Sequence, residues 1–201
     1  MSDEPTRDDP TGDAARGDDS RRKGLLVLLD EYQSTEPQQR ELREQYRQFV
    51  ADRPDALSRT CSPGHITASA IVISHDGIHV LLGFHRKGQF WGQLGGHIEP
   101  DDDSVEAAAA REVGEESGLA QFTTLPGIAR LDRHPLNDSF DCGQFHWDVQ
   151  FAFLADPQAP FAASEESEDL QWFPINRTPD VDDATFQLVR AAVAMRPQPS
   201  A

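Results

Sequence analysis

Residues 95–119 read GGHIEPDDDSVEAAAAREVGEESGL, and the second half of this stretch has the marks of a single helix. Ser104 is placed to cap its N-terminus, and Asp101, Asp102 and Asp103 suit the positive end of its dipole. Gly118 is placed to close its C-terminus. At roughly 100° per residue, Val105, Ala108, Ala109, Glu112, Glu115, Glu116 and Leu119 fall within about 120° of one another. Carboxylates therefore continue the stripe that apolar residues begin. An acidic helix ordinarily turns its acids to solvent, opposite the apolar face. Here they share the inward face, where like charges repel and desolvation adds to the cost. A bound divalent cation removes that conflict, and an oxygen-only ligand set favours Mg²⁺ or Mn²⁺ over zinc or copper.

From Arg111 to Leu119 the residues REVGEESGL resemble the second half of the Nudix signature, R-E-U-x-E-E-x-G-U with U aliphatic, at every fixed position. Upstream, Gly95-Gly96 and the acidic turn after it are similar to the first half, G-x5-E-x7. Counting from Gly96 reaches Asp102 where that pattern has Glu, and eight residues rather than seven then precede Arg111. We read one inserted residue in the loop before the helix, with Asp102 or Asp103 in the place of the usual Glu. A match this long, with charged and glycine positions fixed, is far more specific than a lone glycine motif.

The resemblance implies an α/β fold of the Nudix type, an α/β/α sandwich around a mixed β-sheet. It implies that Glu112, Glu115 and Glu116 hold Mg²⁺ or Mn²⁺ together with the backbone carbonyl of Gly96. Arg111 would then orient the carboxylates by hydrogen bonds, and Gly95 and Gly96 would let the backbone turn tightly beside the metal. The implied reaction is hydrolysis of a diphosphate linkage in a nucleoside diphosphate joined to a further group X. The proton of the attacking water would pass to Glu116 or to a carboxylate of a late loop, where Glu165 and Glu168 are the candidates. Two other functions occur on similar scaffolds. Isopentenyl diphosphate isomerase places a cysteine followed closely by a histidine before the helix, whereas this chain has Gly95-Gly96-His97 and no cysteine there. Non-catalytic nucleotide-binding modules often carry eroded acidic signatures and a DNA-binding winged helix; here the helical glutamates are complete and no basic helix follows.

The 201 residues are enough for one domain with a substantial core. A net charge of −17 argues against a nucleic-acid polymer as partner. The expected partner is a small phosphorylated molecule of nucleotide type, met through metal ions and a few local cations. The two cysteines, Cys61 and Cys142, form neither a disulfide framework nor a zinc spacing. Nothing resembles a signal peptide, and no run approaches the ~18 apolar residues of a membrane span, so a cytoplasmic location is expected.

Along the chain, residues 1–20 have the composition of a disordered acidic tail. Residues 21–60 read as an N-terminal helical extension: one helix over 21–34, then a second begun at Thr35–Pro37 and ended before Pro54. The leucine-rich face over 24–32 is compatible with packing or with a homodimer. Residues 61–196 form the expected Nudix domain, and 197–201 a disordered tail. Within the domain, 65–74 alternates as a strand, 75–77 marks a hairpin, and 78–85 returns. A loop over 86–94 follows, in which Arg86 and Lys87 are placed to meet phosphate oxygens. Strands are expected within 123–132, over 144–154 and over 170–175, and a closing amphipathic helix over 181–195 with Phe186, Val189 and Val193 inward. In the strand over 144–154, the aromatic and aliphatic residues share one face. The other carries His146 and Asp148 side by side, as expected for a substrate cleft.

Overall fold

The computed structural model describes residues 10–60, 63–85, 89–135, 145–163 and 167–197. Two helices, α1 (Pro10–Glu31) and α2 (Pro37–Asp52), precede β1 (Gly64–Ser74), β2 (His79–His85), β3 (Phe90–Gly92) and β4 (Leu94–His97). Next come α3 (Val105–Ser117), β5 (Thr123–Thr124), β6 (Arg130–Pro135), β7 (Phe145–Ala155), β8 (Ser167–Pro174) and α4 (Asp183–Met195).

β1 and β7 carry the sheet. They pair in parallel along their whole length, from Gly64 opposite Phe145 to Ser74 opposite Ala155. β1 is buried throughout, as suits a central strand covered on both faces. Its other edge is shared: β2 pairs with its end through Val72 and Ile73, and β4 pairs with its start, Thr67 opposite His97 through Ala70 opposite Leu94. The outer edge of β7 is likewise divided between β5 and β6. β3 and β8 both pair with β2. The split edge of β1 is what brings Gly95-Gly96 into the sheet beside Ala68 and Ser69.

The two faces of the sheet make two cores. Ile66, Ala68, Ala70 and Val72 of β1 join Trp147, Val149, Phe151 and Phe153 of β7, and are covered by α1, α2 and α3. Ile71, Ile73, Ala152 and Leu154 point the opposite way and are covered by Leu188, Val189 and Ala192 of α4. This is the expected α/β/α sandwich around a mixed sheet.

Several elements differ from expectation. Residues 10–20, expected to be disordered, belong to α1. Composition hides the reason: Asp18 pairs with Arg21, and Asp19 with Arg22 and Lys23, at helical spacing. Arg21 is itself buried and donates to the carbonyls of Pro100 and Asp102, tying the helix to the loop before α3. The tail residues 1–9 and 198–201 lie outside the described residues. Part of the expected loop over 86–94 is strand, because Gly92 pairs with Gly83 and Leu94 with Ala70. The strand expected within 123–132 is broken into β5 and β6. Phe186 is exposed, and Leu188 takes the inward position on α4.

The N-terminal helices belong to the main core. Leu25, Leu29, Tyr46 and Val50 are buried in the same cluster as α3. Gln39 of α2 caps the free edge of β6, donating to the Leu131 carbonyl and accepting from its N–H at 2.9 Å each. Leu25 and Leu29, the residues that made a homodimer attractive, are thus consumed inside the chain.

Candidate active site

α3 begins and ends as its residues dictate. The Ser104 hydroxyl accepts from the Ala107 N–H, and Gly118, at φ 64°, turns left-handed and donates to the Gly114 carbonyl. Val105, Ala108, Ala109 and Val113 bury the helix against the sheet. Its glutamates then meet β4. The Glu116 carboxylate, 4% exposed, accepts from the Gly95 N–H at 2.7 Å. Glu112 lies over Gly96 so closely that a Cβ there would stand 2.5 Å from its Oε1. The absence of a side chain at Gly96 leaves that space to the Glu112 carboxylate.

Arg111 organises the acids. Its Nε and Nη2 donate to the two oxygens of Asp102 at 3.0 Å each, Nη1 donates to Glu112 at 3.1 Å and Glu115 at 3.0 Å, and Nη2 also reaches the His97 carbonyl at 2.9 Å. Asp102 raises the basicity of this guanidinium against the cost of desolvation, with Glu112 adding to the effect. Of the two acids that could replace the signature's first Glu, Asp102 is buried and bound, and Asp103 is exposed. Burial would raise the Asp102 carboxyl, but Arg111 and the Glu99 N–H outweigh it and hold it below its ordinary value. The helical stripe is graded rather than uniform. Glu115, expected inward with its neighbours, is 60% exposed because Arg111 draws it to the rim of the last turn.

The other predicted residues fall differently. Arg86, Lys87 and Glu165 lie outside the described residues, as does the Glu168 side chain. His146 and Asp148 do share one face of β7. Asp148 is buried, however, and its carboxylate accepts from Thr67 at 3.0 Å, Ser69 at 2.6 Å and Gln150 at 3.2 Å. Burial pushes its carboxyl up, against those donors. The Thr67 and Ser69 hydroxyls belong to β1, so the Asp148 carboxylate braces β1 against β7. His146 sits with His65 and His97, residues that sequence reasoning missed. They are far apart along the chain and meet only through the register of β1 with β4 and β7.

The NUDIX domain family model matches residues 63–191. The chain belongs to the Nudix family. Members of this family hydrolyse nucleoside diphosphates linked to another moiety and generally use a divalent metal. Among solved structures, this Nudix chain is similar to the Escherichia coli dihydroneopterin triphosphate pyrophosphohydrolase, at 15% identity over 64% of this chain and 94% of that one, TM-score 0.51. It is also similar to the MutT protein of Methanosarcina mazei Go1, at 22% identity over 66% of this chain and 94% of that one, TM-score 0.50. At these identities the likeness is one of fold. No match was found among curated proteins. No helix among the described residues is long and apolar enough to cross a membrane.

Proposed function

We propose that this Nudix hydrolase uses Mg²⁺ or Mn²⁺, held by Glu112, Glu115, Glu116 and the Gly96 carbonyl, to hydrolyse the diphosphate linkage of a small nucleotide-derived substrate. The observation that carries this is the meeting of α3 with β4: Glu116 on the Gly95 N–H, and the Glu112 carboxylate in the space a side chain at Gly96 would take. The donor set is oxygen only, which suits a hard dication. When bound, the ion neutralises phosphate oxygens and lowers the pKa of water at the site.

The chain's own residues do the rest. Arg111, locked by Asp102, holds Glu112 and Glu115 in a fixed relation, so that little reorganisation is needed when substrate arrives. Water adds to one phosphorus, the bridging P–O bond breaks, and the products are a nucleoside monophosphate and the phosphorylated remainder. The proton lost by water goes to a carboxylate, Glu116 or an acid of the late loop, Glu165 or Glu168. Arg86 and Lys87 are proposed to meet the phosphates. Residues 61–196 act as the hydrolase domain, and the N-terminal helices as its buttress.

The test is a hydrolysis screen over nucleoside triphosphates, ADP-ribose, dinucleoside polyphosphates, coenzyme A and nucleotide sugars, with isopentenyl diphosphate assayed beside them for isomerisation, with Mg²⁺ or Mn²⁺, on wild type and Glu116→Gln. Turnover of at least one class, abolished by chelator and lost in the variant, supports the reading. Tight binding without turnover of any class would instead make the chain a binding module, and turnover of isopentenyl diphosphate to its isomer would make it an isomerase.

A further inference from the structure

The face of the sheet opposite α3 carries a second group of metal-binding side chains. His65 on β1, His97 on β4 and His146 on β7 each offer a ring nitrogen, and these atoms all lie within 4.8 Å of one another. The rings stand 4.9 to 5.4 Å apart between centroids. His97 Nε2 and His146 Nε2 are buried and have no hydrogen-bond partner among the described residues. Two unsatisfied imidazole nitrogens in one small space are costly to maintain without a ligand.

We propose that His65, His97 and His146 form a second metal site, nitrogen-ligated and specific for a divalent transition ion of the zinc class. Neutral imidazoles suit zinc and its neighbours, whereas Mg²⁺ and Mn²⁺ prefer the oxygens of α3. A tetrahedral ion with bonds of about 2.0–2.1 Å draws its ligand atoms to roughly 3.4 Å from one another, so binding closes the widest separation by at most about 1.4 Å. Three protein ligands leave a fourth position for water. Arg59 and a protonated His134 oppose an ion there; Asp132 and Asp148, in the adjoining positions of the same face, carry the opposite charge. His134, held by Asp132 at 2.8 Å, stands edge-on to His146 with the ring centroids 5.4 Å apart.

The placement gives the ion a consequence. Gly96 faces Glu112, and His97, the next residue, faces the other side of β4 while its carbonyl accepts from Arg111. An ion on His97 would therefore clamp β4 to β1 and β7, and hold the glycine pair against the acidic helix. The proposal stands whether or not the chain turns over a diphosphate, because its readout is metal content.

The full chain, stripped with chelator, is dialysed against Zn²⁺ in a large excess of Mg²⁺, and its metal content is measured together with X-ray absorption at the zinc edge. The expected result is one zinc ion per chain, with the scattering pattern of three imidazoles. His65→Ala and His146→Ala should weaken zinc binding by roughly tenfold or more, while Glu112→Gln and Glu116→Gln leave it unchanged. A folded wild type that keeps no zinc overturns the proposal. So does zinc surrounded by oxygen alone, or zinc lost with Glu116→Gln and retained in His146→Ala. The absorption measurement needs only the wild type, so it decides even if a histidine variant fails to fold.

Discussion

Arg111 grips Asp102 with two parallel hydrogen bonds of 3.0 Å, joining the helix of the signature to the loop that enters it. Paired guanidinium–carboxylate bonds fix orientation as well as distance. The inserted residue in that loop is absorbed without loss of the grip, because Asp102 also accepts from the Glu99 N–H at 2.7 Å.

Replacing Asp102 with Asn should therefore cost about 2 kcal/mol of folding stability, the order expected for charge-assisted hydrogen bonds at a partly buried site. Asp103→Asn, at an exposed position, should change stability by less than about 0.5 kcal/mol. Urea denaturation of the two variants reads the difference. Equal losses would remove Asp102 from the role given to it.

The same pair sets a pH dependence. The folded carboxyl of Asp102 is held below 3.8, its ordinary value, so the unfolded chain takes up its proton first as pH falls. The stabilisation is complete above that ordinary value and is lost as pH drops through the lower folded one. Wild type should lose more stability than Asp102→Asn across that acidic window, and the two curves should converge below it. Parallel curves from thermal melts would contradict this.

Gly96→Ala separates stability from function. The added methyl would meet the Glu112 carboxylate, the far end of a flexible side chain, which can swing aside. The change should cost less than about 1 kcal/mol in folding. It should nevertheless weaken Mn²⁺ binding by about tenfold or more, because the displaced group is a proposed ligand. Isothermal titration beside a denaturation curve measures both, and unchanged Mn²⁺ affinity would remove Glu112 from the ligand set.

Arg21→Ala tests the reach of the N-terminal helix. Arg21 holds the carbonyls of Pro100 and Asp102 from inside the protein, so its loss should cost about 1.5–3 kcal/mol. Hydrogen exchange should rise over residues 99–103 more than over α4. A rise of the same size in both would mean that the residue supports the fold generally and not this loop.

What was legible in the sequence was what local chemistry encodes. Ser104 and Gly118 bound α3 as their side chains predict, and the alternation of β1 and β7 reads directly as two faces. The exposure of Glu115 was not legible, because a helical wheel knows nothing of the arginine that draws the carboxylate outward. β3 and β4 were missed because strands of three and four residues carry too little pattern, and backbone pairing with β2 and β1 makes them. The start of α1 was missed because its support is a long-range arginine and ion pairs, not apolar residues. His65, His97 and His146 are each unremarkable in their own segments. Only the ladder that sets His65 opposite His146 and Thr67 opposite His97 reveals them as a group.

The most direct test of the hydrolase account is anomalous diffraction from crystals of the full chain grown with Mn²⁺. The account predicts a manganese peak within bonding distance of the Glu112 and Glu116 carboxylates and the Gly96 carbonyl. A folded chain whose glutamates surround no ion under those conditions would contradict it.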